Sequence, residues 1–189
     1  ISIRNLKRVV ITSGDSIPDK AFYDCSSLTS IEIPNSVTSI GDSAFSSCSA
    51  LTSVTIPDSV TSIGDSAFHD CDSLTSVKIP DSITRIENHV FSNCSALTSI
   101  IIGNNVTSIG KYAFHNCSSL TSIEIPNSVT SIEDCAFLRC SLITSIIIPD
   151  SVLDLGEYAF DCGNKELKII SYTSLANLIS PKDKTTVVD

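Results

Sequence analysis

The spacing of phenylalanine constrains the fold of this chain more than any other feature. All seven phenylalanines in the 189 residues lie 23 residues apart without exception: Phe22, Phe45, Phe68, Phe91, Phe114, Phe137 and Phe160. Cysteine and proline keep the same step, the cysteines at Cys25, Cys48, Cys71, Cys94, Cys117 and Cys140. Self-similarity at a fixed period of roughly 20 to 50 residues is typical of solenoids, propellers and repeat arrays.

Each unit contains two predicted extended segments. Residues 30–33 alternate between polar and apolar side chains, which is the period of a half-buried strand, and Pro34 ends this strand because it has no N–H group to donate. Val37 and Ile40 are apolar within a Ser/Thr-rich stretch, which indicates a second short extended segment. The unit is therefore expected to cross the molecule twice.

A short helical turn is expected to close each unit. Asp42 stands where a helix N-cap would accept hydrogen bonds from free backbone N–H groups, and Ala44, Phe45 and Cys48 fall on one side of a single turn. Gly41 and its counterparts at 64, 110 and 156 are expected to be turn residues at the corner of the coil.

One unit cannot bury its apolar residues alone, so the units are expected to stack around a continuous core. We divide the chain into an atypical first repeat at 1–27, six repeats of about 23 residues at 28–166, and a last strand with a C-terminal cap at 167–189. Within the cap, residues 174–180 are expected to form a short helix. The predicted fold is an α/β-type repeat solenoid with a parallel sheet on one face, and short strands and helical turns on the other.

Charge and hydropathy exclude two classes of partner. The formal net charge of −9 disfavours binding to nucleic acid or to an anionic bilayer, because both would be repelled by most of the surface. No stretch approaches the roughly 20 apolar residues that span a bilayer, so no membrane insertion by this segment is expected.

The repeated phrases resemble a known family. LTSIEIPNSVTSIGDSAF and IPDSVTSIGDSAFHDCDSLTSV resemble the BspA-like subgroup of leucine-rich repeats, closely over residues 28–166 and loosely at the ends. The resemblance implies a right-handed leucine-rich-repeat superhelix. It also implies a cell-surface or secreted protein that adheres to host proteins or to other cells. The family has no shared catalytic residues to carry over.

The first candidate site is the outward position in the middle of the first strand, because it varies while its neighbours stay fixed. On a curved solenoid this row lines the sheet, where such repeats usually bind. An exposed strand position also tolerates any residue of good β-propensity, so tolerance alone could explain the variation. The row consists of Glu32, Thr55, Lys78, Ile101, Glu124 and Ile147.

A second candidate site flanks the phenylalanine. The residue before it varies from serine to His89, Tyr112, Cys135 and Tyr158, and the aromatic members His89, Tyr112 and Tyr158 would suit a contact surface. The alternative interpretation is a solvated surface of the turns. The residue after it is equally variable: Ser46, His69, Ser92, His115, Leu138 and Asp161.

Metal binding is not predicted. His69 and His115 lie two coils apart, or about 10 Å at the spacing of strands in a sheet, which is too far for one metal ion. A calcium ladder along the Asp42 row would be interrupted by Lys111. No cofactor is expected.

The cysteines are expected to be reduced, buried packing residues. Successive cysteines of the row would lie close enough for a disulfide, but pairing would distort a regular stack. Cys135 lies outside this row, at a position expected to be exposed, so it is either a reactive thiol or a drifted serine.

Two functions remain open at this point. The favoured one is a non-catalytic binding or adhesion module that contacts a protein or glycan through its sheet face. The alternative is a structural component that docks within a larger complex, or self-associates through the basic first coil with Arg4, Lys7 and Arg8. The sequence contains no nucleophile beside a base, no paired carboxylates and no Gly-rich phosphate loop. Nothing in it therefore indicates an enzyme.

Overall fold

The chain forms a parallel β-solenoid of about seven coils. A computed structural model describes residues 3–164, 167–171 and 187–188. Up to Ser171 the register of each strand pair shifts by 22 or 23 residues, as in Ser76↔Ser99 and Ser108↔Ser131, so each strand pairs with its equivalent in the next coil. The 23-residue period predicted from the sequence is thus the length of one coil.

One sheet runs along the front of the stack. Its five strands, in spatial order, are β1 (Arg8–Val10), β3 (Ser30–Glu32), β5 (Ser53–Val54), β7 (Ser76–Lys78) and β9 (Ser99–Ile101). The same side continues through the isolated bridge between Glu124 and Ile147 into a second sheet. That sheet consists of β12 (Ser145–Ile148), β14 (Lys168–Ser171) and β15 (Val187–Val188). We call the outward surface of these strands the front face.

Short strands form the opposite side of the coils. One sheet has the order β2 (Ser16–Ile17), β4 (Ser39–Ile40) and β6 (Ser62–Ile63). The other contains β8 (Arg85–Ile86), β10 (Ser108–Ile109), β11 (Ser131–Ile132) and β13 (Asp154–Leu155). The second extended segment expected in each unit is therefore present in these coils.

The core is a set of ladders, one residue per coil. Phenylalanine rings of successive coils stack with centroids 5.1–5.7 Å apart and planes within 10° of parallel. Phe22, in the first coil, is partly buried, whereas the next phenylalanine, Phe45, is fully buried. Such stacking buries large apolar surfaces that a single coil would leave in water.

The turns are not helical, which corrects the expectation of a helical turn capped by Asp42. Ser43 and Ser47 adopt the left-handed backbone conformation, with φ of 52° and 62°. Their N–H groups, and that of Phe45, donate to carbonyls of the next coil, while the N–H groups between them donate three residues back. An α-helix directs its N–H groups along its own axis, so it could not join the coils in this way.

The aspartates at the position of Asp42 also join successive coils through hydrogen bonds. Asp42 Oδ1 accepts a hydrogen bond from the backbone N–H of Asp65 in the next coil at 2.9 Å, and Asp65 and Asp134 repeat the contact with their successors. Asp42 is therefore a cap between stacked turns and not a helix N-cap. The only helix among the described residues is a 3-10 turn at Ile3–Asn5, and the helix expected at 174–180 lies outside them.

The corner glycines are explained by close packing. A Cβ on Gly64 would lie 2.7 Å from the backbone nitrogen of Asp42 and closer still to its carboxylate. Gly64 has no positive φ, so conformational freedom is not the reason for its presence. The glycine allows one coil to approach the turn of the coil before it.

Candidate binding surface

The row predicted from the sequence lies on the front face, with all six side chains exposed. Strand alternation turns Ile100 and Ile146 into the core, so that Ile101 and Ile147 point outward with exposed fractions of 62% and 52%. The register extends the row at both ends, because Val10 pairs with Glu32, and Ile170 with Ile147. Comparing the repeats within the sequence did not identify Val10 and Ile170, since the end units diverge from the repeat. The alternation of side chains in Lys168–Ser171 could have identified Ile170.

Three depressions lie along the front face. One of about 530 Å³ is lined by Thr55, Lys78 and Ile101, with Pro57 and Asp58 among its walls. One of about 720 Å³ lies beside Glu124 and Ile147 and is walled by Pro149. A smaller one of about 180 Å³ lies between Ile101 and Glu124. The face is therefore hollow along several coils.

The front sheet is interrupted beside Glu124. Glu124 pairs with Ile147 on one side through a single bridge, and within the described residues 99–124 no strand pairing joins β9 to the segment that contains Glu124. The smallest depression lies at this interruption, between Ile101 and Glu124. The break thus coincides with the change from one large depression to the other.

The charges of the row differ in how they are compensated. Glu32 accepts a hydrogen bond and ion pair from Arg8 of the preceding coil. Within the described part of the chain, Lys78 and Glu124 have no ion-pair partner. Their charges are therefore available to a ligand on this face.

The second candidate row is packed partly against itself. His89 and Tyr112 stack with ring centroids 4.9 Å apart, and the edges of His69 and His115 meet these rings at 6.4 and 5.6 Å. All three histidines of the chain thus lie in one cluster with Tyr112. Tyr158 stands in the same row two coils beyond Tyr112, with Cys135 between them.

Burial affects two of the histidines in this cluster. Burial lowers the pKa of His89, and the neighbouring His69 adds to the effect. Burial also lowers the pKa of His115, with Arg139 and the other histidines contributing. Ring contacts cover faces of His89 and Tyr112 that a ligand would need. The front face offers the better binding surface.

The expected exposure of Cys135 was wrong. Cys135 is buried, with 8% of its surface exposed, because its thiol lies against the Tyr112 hydroxyl, and their hydrogen bond raises the pKa of the tyrosine. Ser46 and Ser92, in the row that follows the phenylalanine, are also buried, at 4% and 1%. The hydroxyl oxygen of Ser92 lies 3.4 Å from Nδ1 of His115 in the next coil.

The remaining cysteines are buried and line the core with their thiols. Cys94 Sγ lies 3.2 Å from the backbone carbonyl oxygen of Phe68, and this contact to the preceding coil is repeated along the row. Burial raises the pKa of Cys48 to about 12. Such thiols are protonated hydrogen-bond donors and not nucleophiles.

Metal-binding clusters and membrane-spanning helices are both absent from the residues that the structure describes. In these ranges no three His, Cys, Asp or Glu side chains are grouped so that they could hold a metal ion. No helix in the same ranges has the length and apolar character needed to cross a bilayer.

The solved structures that resemble this chain include bacterial leucine-rich repeat proteins. A leucine-rich repeat protein from Eubacterium ventriosum is 26% identical with a TM-score of 0.77, over 82% of this chain and 42% of the other. One from Bacteroides ovatus is 32% identical with a TM-score of 0.68, over 89% and 56%. A leucine-rich cell surface protein from Faecalibacterium prausnitzii is 30% identical with a TM-score of 0.50, over 93% and 62%. The chain thus spans about half the length of the first two neighbours.

Sequence comparison gives the family. No curated protein sequence matches the chain significantly. The family model of the BspA type leucine rich repeat region matches residues 15–118 and 95–182, in six copies. These two ranges cover most of the chain and include every unit with the stacked phenylalanine. The chain therefore belongs to the BspA-type leucine-rich repeat family.

Proposed function

We propose that this chain is a non-catalytic protein-binding module that contacts its partner through the front face. One observation carries the proposal: two isoleucines, Ile101 and Ile147, are more than half exposed in a hollow sheet surface, on either side of the uncompensated charge of Glu124. Exposed apolar groups within a polar rim are typical of protein interaction sites. A core packing role does not require them, because the inward neighbours of both residues fill the core.

The titratable groups favour a non-catalytic role. Catalytic groups usually combine a shifted pKa with a position in a cleft. Here large shifts belong to core thiols such as Cys48, whose pKa burial raises to about 12. We accordingly assign the front-face charges to recognition and not to catalysis.

We propose the cell surface or the exterior as the site of action. The similarity to a cell surface protein of Faecalibacterium prausnitzii supports this location. Adhesion to a host protein or to another cell is the form of binding that follows from such a location.

A binding screen tests the proposal. The purified chain is presented with extracellular matrix proteins, glycans and whole cells, beside a variant carrying Lys78→Glu, Ile101→Asp and Glu124→Lys. We expect saturable binding to a protein, weakened at least tenfold in the variant, because the variant places charge where apolar contacts form. Binding that is unchanged in the variant would contradict the assignment of the front face.

A matched control separates surface chemistry from folding. Leu153 is 74% exposed and lies just before β13, on the opposite side of the coil. Leu153→Asp makes the same change from an exposed aliphatic residue to a carboxylate and should leave binding intact. Thermal melting of both variants shows that each is folded.

An assembly role is the second candidate, and one observation favours it. Among the described residues, Phe22 stacks on one ring only, and Phe22 and Val9 of the first coil are both partly buried. This edge could dock on another protein or on a second copy. Sedimentation equilibrium of the chain and of a Phe22→Glu variant would favour assembly if the wild-type mass exceeds that of the monomer and the variant does not.

A further inference from the structure

The front-face row has a spacing that selects among the shapes of a protein partner. Its members follow one another at one residue per coil: Lys78 pairs with Ile101, Glu124 with Ile147, and Ile147 with Ile170. Adjacent strands of a sheet lie about 4.8 Å apart. Ile101 and Glu124 are not joined by strand pairing, but their coils keep a similar spacing, with the ring centroids of Phe114 and Phe137 5.2 Å apart. A partner that contacts each member must therefore present side chains at nearly this interval along the axis of the stack.

A helix meets this requirement and an extended segment does not. Residues three or four apart on one face of a helix advance by about 5 Å along its axis, so four steps accumulate a mismatch of about 2 Å. Alternate residues of an extended segment advance by about 6.6 Å, and four steps accumulate about 7 Å, more than one coil. An extended segment that crossed the row would meet only one or two coils.

The chemistry of the row specifies the face of that helix. From Lys78 to Ile170 the order is cation, apolar, anion, apolar, apolar. Lys78 and Glu124 lie two coils apart, about 10 Å, which is near the screening length at physiological salt, so they neutralise each other weakly. The complementary face carries an acidic residue opposite Lys78, a basic residue opposite Glu124, and apolar residues at the other positions.

The shape of the surface agrees with a helix that lies along the axis. The depressions of about 530, 180 and 720 Å³ follow one another from Lys78 past Glu124 to Ile147. The apolar stripe of a helix can enter such a hollow, and about 14 residues cover four coil spacings. The proposed contact with the helix begins beyond Glu32, whose charge is already paired with Arg8.

The geometry points to an amphipathic helix of a protein partner as the occupant of the front face, lying parallel to the stack axis over Lys78, Ile101, Glu124, Ile147 and Ile170. This inference rests on the proposed function, because it names the class of partner for the same face. It adds the orientation, secondary structure and charge order of the partner to the proposed binding face.

Two display libraries test the inference on the full chain. One presents helices on a stable single-helix scaffold with one face randomised, and the other presents extended peptides held by prolines. We expect helical clones to be enriched, with apolar residues at helical spacing and a basic residue opposite Glu124. Their affinity should fall at least tenfold on Ile101→Asp and remain unchanged on Leu153→Asp.

A charge exchange tests the orientation. Glu124→Lys should weaken an enriched helix, and changing the basic residue of that helix to glutamate should restore its affinity. Glu157→Lys, an equal change on the turn side of the coil, should have no effect. Failure of the exchange to restore binding would overturn the assigned orientation.

The remaining outcomes separate this inference from the function on which it rests. Enrichment of extended peptides that are sensitive to Ile101→Asp would overturn the helical partner and leave the front face as the binding site. Two outcomes would count against both the helical partner and the proposed function. In one, the enriched clones bind Ile101→Asp and Glu124→Lys as tightly as the wild-type chain; in the other, neither library yields enriched clones.

Discussion

Cys94 donates its thiol hydrogen to the backbone carbonyl of Phe68, with Sγ 3.2 Å from the oxygen. The contact joins two adjacent coils in the fully buried core, and Cys117 makes the same contact with Phe91. The cysteine row is therefore more than apolar filling, because each thiol also satisfies a carbonyl of the coil before it. Burial raises the pKa of Cys94, which keeps the thiol protonated and able to donate.

The core thiols should be unreactive in the folded chain. The thiolate is the reactive form, and burial both raises the pKa of Cys71 and Cys117 and blocks access to them. We expect a disulfide reagent to modify the eight cysteines at pH 8 only after denaturant unfolds the chain. Modification of several cysteines in the native protein, at the rate of a free thiol, would contradict the buried ladder.

Removal of one ring from the ladder should leave a costly cavity. Phe91 is fully buried between Phe68 and Phe114, so Phe91→Ala should lower the free energy of unfolding by about 3 to 5 kcal/mol. Urea unfolding followed by circular dichroism measures the change. Phe22→Ala is the control, since Phe22 is partly buried and stacks on one described ring; equal losses in both variants would contradict the stacked core.

Gly64 should not tolerate a side chain. Gly64→Ala would push a methyl group against the backbone of Asp42 in the preceding coil, so we expect a lower melting temperature. Glu87 holds the same corner position in the next coil and already carries a Cβ. Glu87→Ala should therefore cost no more than its exposed ion pair with Arg85, about 1 kcal/mol or less. A Gly64→Ala variant as stable as Glu87→Ala would refute the steric explanation.

Stability should fall between neutral and mildly acidic pH. Burial lowers the pKa of His89 and His115 in the folded chain, so below their ordinary value of about 6.5 the unfolded chain binds protons first. The stabilisation is complete above this pH and is lost as pH falls toward the lowered pKa values. The charge of Asp65 raises the pKa of His89 and so opposes the shift, whereas the charge of Arg139 lowers the pKa of His115 further. Both charges therefore contribute to the dependence of stability on pH.

Urea midpoints at pH 7.5 and 5.5 measure this loss. We expect a smaller difference between the two midpoints in a variant with His89→Gln and His115→Gln, because glutamine does not titrate. If the difference between the two urea midpoints is the same in this variant as in the wild-type chain, groups other than these two histidines cause the loss of stability in acid.

The sequence predicted the core but not the turns, and the reason is physical. Phenylalanine at a 23-residue interval favours stacked coils, because a unit of this length cannot bury its own ring and the next unit can cover it. The segment from Asp42 to Cys48 also matches a helix start, and local spacing cannot distinguish a helix from two left-handed residues that direct N–H groups to the next coil. The stacking partner decides between them.

The candidate site was predictable where the repeat is regular. Alternation placed Lys78 and Ile101 on the exposed side correctly, since it depends only on strand geometry. Val10 and Ile170 were missed because the end units depart from the repeat, and Cys135 was placed on the surface because its neighbour Tyr112 could not be seen to cover it. A comparison of equivalent positions in the repeats does not reveal contacts between side chains of neighbouring coils.

The most direct test of the front face is hydroxyl-radical footprinting of the chain with a protein partner from the screen. Five aliphatic residues of the described chain are each more than half exposed: Ile101 and Ile147 on the front face, and Ile3, Leu142 and Leu153 elsewhere. We predict that the partner suppresses oxidation of Ile101 and Ile147 and leaves Leu142 and Leu153 unchanged. Suppression at Leu142 or Leu153, with both isoleucines still oxidised, would contradict the account.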